Sequence, residues 1–328
     1  MKKIKNKIKK YISDTIKNII GKTLEEQLIK LNIKSDYIDR KDYEYLMVLL
    51  GQLHINSIKK LENINSLRDV EFKIFSQFGE DGIIQYLINK VDIPNKMFIE
   101  FGVSNYLEAN TRFLLMNDNW TGLLIDSSEQ NIEFIKNDKI YYRHDLNALC
   151  SFVTKDNIND LIISHVKNED VGLLNIDIDG IDYWIWKAID VVKPRIVVCE
   201  YNALFGDKYC VTIPYNAYFS VIDAHYSCLY YGASLPALCK LANEKGYDFI
   251  GCDSEGVDAF FVRRDISKQF KISTIKDGYV RNKFRISRDM NGHLNYLPYE
   301  KCIEVISDLE LYDIENEVVK SISELYFK

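Results

Sequence analysis

No stretch of the 328 residues approaches the ~18 consecutive apolar residues of a membrane-spanning helix. The seven cysteines, at positions 150, 199, 210, 228, 239, 252 and 302, form no CxxC pair. That removes the common zinc and dithiol spacings, and several of the seven sit in apolar runs such as "RIVVCEYN". They read as small buried hydrophobes in a reducing compartment. A full GxGxxG, a zinc-finger spacing and an aromatic-and-basic RNA motif are all missing. With a formal charge of −6, this argues against a protein dedicated to nucleic acid. There is no internal repeat, low-complexity tract or Pro- or Ser-rich linker to divide the chain.

What remains is the composition of a globular protein, 47% hydrophobic and 27% charged. Its length suits one generous domain with additions, or two modest ones. The opening "MKKIKNKIKKYISDTIKNIIGK" has lysines between its apolar positions and does not read as a signal peptide, so cytoplasm is the expectation. Isoleucines 4, 8, 12, 16, 19 and 20 fall on one helical face, and eight lysines stand against one aspartate. Two readings stay open: a helix lying on an anionic membrane surface, or one packed on its own protein or on a second copy.

Residues 1–70 read as a helical region, with apolar spacings of three and four in "TLEEQLIKLNI" and "DYEYLMVLLGQLHINSIKKLENI". From residue 71 to about 270 short apolar runs alternate with helical stretches, the sign of a parallel sheet covered by helices. The expected strands are "MFIEFG" (97–102), "WTGLLID" (120–126), "IYYRHD" (140–145), "VGLLNIDID" (171–179), "PRIVVCEYN" (194–202), "YDFIGCD" (247–253) and "DAFFVRRD" (258–265). Crossover-length segments separate the first five. The last two are joined by "SEGV" and form a hairpin. The predicted fold is therefore α/β, with a mostly parallel seven-stranded sheet and one antiparallel strand. That arrangement looks like the Rossmann-like sheet of class I S-adenosylmethionine-dependent methyltransferases. A nicotinamide dehydrogenase fits less well. The tail, 271–328, reads as a helical appendage.

Ligands of open parallel sheets sit beyond the carboxyl ends of the strands. The first strand places Glu100 and Gly102 there. Asp126 ends the second, at the distance from the glycine turn where an acid can accept from ribose hydroxyls. Asp145 ends the third expected strand, where it either accepts from an adenine amino group or merely caps the next helix. "NIDIDGIDYWIW" then brings Asp177, Asp179 and Asp182 within six residues. In an extended strand Asp177 and Asp179 share a face, and Glu200 and Asn202 repeat the alternation next door. Three carboxylates and an amide suit Mg²⁺ or Mn²⁺ bound through oxygen alone. The competing reading makes Asp179–Gly180 a turn, Asp182 a helix cap and Glu200 an arginine's partner. A hydroxyl acceptor needs a metal or a base to lose its proton, and the candidate bases are Asp177 and His225. His144, beside Asp145, would serve the cofactor edge. Nothing promotes His54, His165 or His293. Trp184, Trp186, Tyr230 and Tyr231 can stack on a sugar, but core packing explains the tryptophans better.

"SQFGEDGI" (76–83), "FIEFG", "EANT" (108–111), "NIDIDGIDYWIWKAI", "PRIVVCEYN", "YYGASLPAL" (230–238), "KGYDFIG" (245–251) and "DAFFVRRD" together resemble the FkbM-like methyltransferases, over about 75–265. The resemblance implies methyl transfer from S-adenosylmethionine to a hydroxyl of a sugar or a polyketide-attached sugar. Such an acceptor could be a nucleotide-activated sugar for a surface glycan. It also implies cofactor contacts at Glu100, Gly102, Asp126 and Asp145, with Gln77, Asn110 and Thr111 as further contacts, and Asp177 and Asp179 facing the transferred methyl. Where the wider family often has Asp-x-Glu-Gly, this chain has Asp-Ile-Asp-Gly, an acid shorter by one methylene. A non-sugar acceptor (phosphate-derived or amide) and a non-catalytic assembly partner are the alternatives.

Overall fold

The computed structural model describes residues 40–61, 63–283 and 285–327. The basic amphipathic segment at the N-terminus lies outside the described residues. The chain divides into two units, Met1–Leu50 and Gly51–Lys328, with the boundary inside the helix Arg40–Ile58. No described helix is long and apolar enough to cross a membrane.

The second unit is built on a seven-stranded sheet. Its strands are β1 (Met97–Phe101), β2 (Thr121–Asp126), β3 (Leu146–Cys150), β4 (Leu173–Ile176), β5 (Ile196–Glu200), β7 (Tyr247–Cys252) and β8 (Asp258–Arg263). Their spatial order is β3-β2-β1-β4-β5-β8-β7. β8 runs antiparallel to both its neighbours and every other pairing is parallel. This is the mostly parallel, Rossmann-like sheet with one reversed strand that the sequence led one to expect. Six of the seven anticipated strands occur close to the positions read from sequence.

The sheet is covered on both faces, which is why its strands are near-continuous apolar runs rather than alternating ones. On one face Ile99, Leu123, Leu174 and Val197 join the core with Tyr183, Ile185 and Trp186 of the helix Asp182–Ala188 and with Leu238 and Leu241 of the helix Leu235–Lys245. The intervening residues Phe98, Glu100, Leu124, Asn175 and Val198 are buried too and face the other way. The tryptophans are core, as expected: Trp186 is 2% exposed, and the Trp184 indole donates to the Ile213 carbonyl at 2.9 Å.

Two expectations fail. "IYYRHD" is not a strand, because Asp138 accepts from the Ile140 amide and caps a short helix, Lys139–Arg143. The third strand follows it, so Asp145 lies at the amino end of the sheet, where its carbonyl accepts from the Gly122 amide. The tail is not wholly helical. After the helix Tyr299–Val305 come β9 (Glu310–Asp313) and β10 (Val318–Ser321), which pair with each other and, through β9, with the two-residue β6 (Val211–Thr212). The tail packs into the main core through Ile303, Ile306, Leu311 and Ile322.

All seven cysteines are free. Cys199, Cys210, Cys252 and Cys302 are buried as anticipated, whereas Cys150 is exposed at the end of β3.

Candidate active site

Strand order reverses between β1 and β4, and there the carboxyl-terminal turns open a cleft. One cavity of about 650 Å³ lies over β1, β4 and β5, with Glu100, Gly102, Asn175, Asp177, Asp179 and Glu200 on its wall. A second, of about 420 Å³, runs towards β2 and β3 and is lined by Asp126, Ser128, Asn131, Ser151 and Phe152. The two share Gly102, Asp177 and Asp179. Glycine is required at 102: its φ is +72°, and an added Cβ would lie 1.7 Å from the Asp177 carbonyl oxygen.

Asp126 is buried at the end of β2, where the sequence placed it. Its Oδ1 accepts from the Ser128 amide (2.8 Å) and the Asn131 side chain (3.2 Å), and its Oδ2 from the Ser104 amide (2.8 Å). A carboxylate offers about four accepting positions, so about one remains for a ligand hydroxyl. The capacity for both ribose hydroxyls expected from sequence is thus reduced to one.

Glu100, Asn110 and Thr111 come together, but mainly to satisfy each other. Glu100 accepts from the Asn110 amide and Asn175 side chain at 3.0 Å each, and from the Thr111 amide and hydroxyl. The Asn110 side chain donates to Asn175 (3.0 Å) and Asp258 (2.8 Å). Burial pushes the Glu100 carboxyl up to about 7 against these donors. These residues stiffen the cleft floor. Gln77 is exposed on the cavity rim. Asp145 and its neighbour His144 lie before β3, at the other end of the sheet from the cleft, and serve no cofactor edge. The residues after β3, Ser151 and Phe152, line the second cavity instead.

The carboxylate oxygens of Asp177, Asp179 and Glu200 lie within 4.8 Å of one another. The trio is the one picked from sequence, but the turn of the competing reading, rather than an extended strand, gathers it. β4 ends at Ile176, and Asp179 has left-handed backbone, φ +54°. A turn, not strand alternation, brings the two aspartates together. Asp182 pins that turn by accepting from the Ile178 (2.8 Å) and Gly180 (2.9 Å) amides, so it is a scaffold rather than a ligand. Asn202 also drops out of the expected set, since its side chain accepts from the Leu204 amide and donates to the Leu229 and Tyr231 carbonyls.

Glu200 is 8% exposed, and its Oε2 has no hydrogen-bond partner among the described residues. No arginine pairs with it among the described residues. Burial, then the nearby Asp177 and Asp179, hold its carboxyl well above the ordinary range. Burial, then the nearby Asp179 and Asp182, do so for Asp177. Glu200 and Asp177 do not readily both stay ionised unaided; a proton or a cation would relieve them, with Asp179, exposed on the cavity wall, as a third oxygen donor. Mg²⁺ bonds oxygen at about 2.1 Å, so opposed ligands lie about 4.2 Å apart, within a small adjustment of the observed spread. The donor set fits such an ion.

Sequence reasoning missed Asp258. It begins β8 and stands opposite Glu200 in the antiparallel register, with one buried carboxylate oxygen unpartnered. A reversed strand brings its amino end to the cleft, whereas the rule for parallel sheets points only to strand carboxyl ends. It also missed Arg285 and Arg288 on the cavity wall, whereas Tyr231, named from sequence as able to stack on a sugar, does line it. His225 lines neither cavity. Its Nδ1 is 2.7 Å from the Ser227 hydroxyl and partial burial lowers its pKa, so it is a turn residue and not the base.

No family model matches this chain, and no curated protein does. Solved structures resemble it. The N-terminal domain of EvdMO1 with SAH bound is 10% identical, with a TM-score of 0.38 over 70% of this chain and 99% of that one. An O-methyltransferase from Bacillus cereus in complex with SAH is 12% identical, TM-score 0.33, over 73% and 87%. An S-adenosylmethionine-dependent methyltransferase from Clostridium acetobutylicum is 8% identical, TM-score 0.34, over 56% and 90%. The chain is similar to these at that modest level, and the chemistry of the cleft is read from its own residues.

Proposed function

We propose that the protein is an S-adenosylmethionine-dependent O-methyltransferase acting on a sugar hydroxyl, with Mg²⁺ or Mn²⁺ at Asp177, Asp179 and Glu200. One observation carries the reading. Two cavities that share Gly102, Asp177 and Asp179 at the sheet's switch point lead from the Asp126 carboxylate, with an accepting position to spare, to a carboxylate trio with an unpartnered buried oxygen among the described residues. The motif resemblance to FkbM-like methyltransferases supports the same reading.

When bound, the donor supplies a methyl group on a positively charged sulfur. Asp126 accepts from one ribose hydroxyl, and Ser151 and Phe152 border the base. The Gly102 turn admits the donor close to the backbone. The acid wall favours a cationic sulfur over the neutral product. The acceptor hydroxyl must shed its proton as the new C–O bond forms; with no metal bound Asp177 takes it, and with a metal at the trio it would pass to solvent. The metal would hold the acceptor oxygen and lower its pKa.

Isothermal titration with S-adenosylhomocysteine tests the donor site directly, and folded protein that takes up none refutes the reading. Mass spectrometry with labelled donor and candidate sugar nucleotides then tests the acceptor. Activity should collapse with EDTA and return with Mg²⁺ or Mn²⁺.

A further inference from the structure

A third cavity, of about 490 Å³, adjoins the carboxylate-lined one and shares Tyr231, Arg285 and Ile286 with it. Its wall has the opposite character. Arg281, Lys283 and Arg285 recur at every second position of one loop and all line it, against one carboxylate, Glu300. Two of the cations are held in place. Arg281 lies 3.6 Å over the Tyr299 ring and bonds Glu300 at 3.1 Å, while Lys283 pairs with Glu255 at 2.9 Å. Arg285 has a single weak internal bond, from Nη1 to the Tyr296 carbonyl at 3.3 Å, and enters no ion pair among the described residues. Its other donors have no partner among the described residues, and the side chain lines both cavities. Arg288 adds a further cation to the first cavity's wall.

Acids thus dominate the wall of the first cavity and cations that of the third, with Arg285 on both. If the acid side takes a sulfonium, as proposed above, the basic side suits an anion on the methyl acceptor. Guanidinium forks match phosphate oxygens in pairs, and an ammonium adds a point charge. We infer that the Arg281–Lys283–Arg285 cavity holds the phosphate groups of a phosphorylated acceptor, with Arg285 fixing the phosphate nearest the carboxylate trio. This rests on the methyltransferase reading for the acceptor's role, but the anion site can be tested without it.

The experiment is titration of the full chain with inorganic pyrophosphate, uridine diphosphate and citrate, in EDTA so that no metal at the trio captures the anion. Pyrophosphate should bind, and R285Q should weaken it at least tenfold with no change in melting temperature. R285K should recover part of the loss, whereas K193Q, altering an exposed lysine that precedes β5, should leave it unchanged. Tighter binding of uridine diphosphate supports a nucleotide-linked acceptor. Equal binding supports a phosphate site that does not read the nucleoside. Absence of pyrophosphate binding, equal affinity in R285Q, or tighter binding of citrate overturns the inference. Protein that binds S-adenosylhomocysteine but not pyrophosphate refutes this inference alone. Arg285-dependent pyrophosphate binding without S-adenosylhomocysteine binding refutes the methyltransferase reading alone.

Discussion

Gly102 and Asp177 meet backbone to backbone: a methyl group on the first would sit 1.7 Å from the carbonyl oxygen of the second. The turns after β1 and β4 are thereby locked together at the switch point, and the position of the Asp177 carboxylate is set by a residue 75 places earlier in the chain.

Gly102→Ala should therefore be costly twice over, through positive φ and through the clash. A loss of at least ~2 kcal/mol in urea unfolding is expected. Titration should also show weaker S-adenosylhomocysteine binding, since the clash displaces the Asp177 turn. Wild-type stability in the variant would mean the two turns separate easily.

Asp126→Ala removes both a ligand acceptor and the anchor for the Ser104 and Ser128 amides. S-adenosylhomocysteine affinity should fall at least tenfold, about 1.4 kcal/mol. Stability should fall by ~1–3 kcal/mol because two amides lose their acceptor. Unchanged affinity would contradict the donor assignment.

Glu200→Gln replaces a buried, repelled carboxylate by an amide that can donate to its neighbours. Mn²⁺ binding, followed by paramagnetic resonance, should weaken at least tenfold. In EDTA the variant should be as stable as wild type or more so, by about 1 kcal/mol, because like-charge repulsion is relieved. Destabilisation in EDTA with Mn²⁺ binding intact would show that the trio is held together by something other than a cation.

At the opposite end of the sheet Asp170 accepts from Arg195 (Nη2, 2.6 Å) and Arg263 (Nη1, 2.8 Å). Burial alone would raise its pKa, but the hydrogen bonds and charges of the two arginines together lower it. A depressed folded pKa contributes stability above the unfolded value of about 3.9, which is lost as pH falls through the folded one. Asp170→Asn should cost ~1 kcal/mol at pH 7, and the gap to wild type should narrow towards pH 3. A gap independent of pH would assign the loss to packing.

Much of the sheet was legible because buried parallel strands are dense apolar runs, and "FIEFG", "GLLID" and "IVVCE" could hardly be anything else. "IYYRHD" was misread because a short aromatic run has no period of its own, and the cap at Asp138 decided for helix. The tail misled for a related reason. Its hairpin around Ile314–Glu317 pairs with β6, about a hundred residues earlier, and no local pattern reports so distant a partner.

By itself the sequence determined the alternation of strands and crossovers, and with it the acids that end β2 and β5. Such patterns are written in neighbouring residues, whose spacing dictates which side of an element is buried. Tertiary structure alone decided that Asp258 joins Glu200, that Asp182 braces the turn, and that Arg285 borders the carboxylates. Each depends on pairings between segments far apart in the chain, where proximity is set by the packing of the whole.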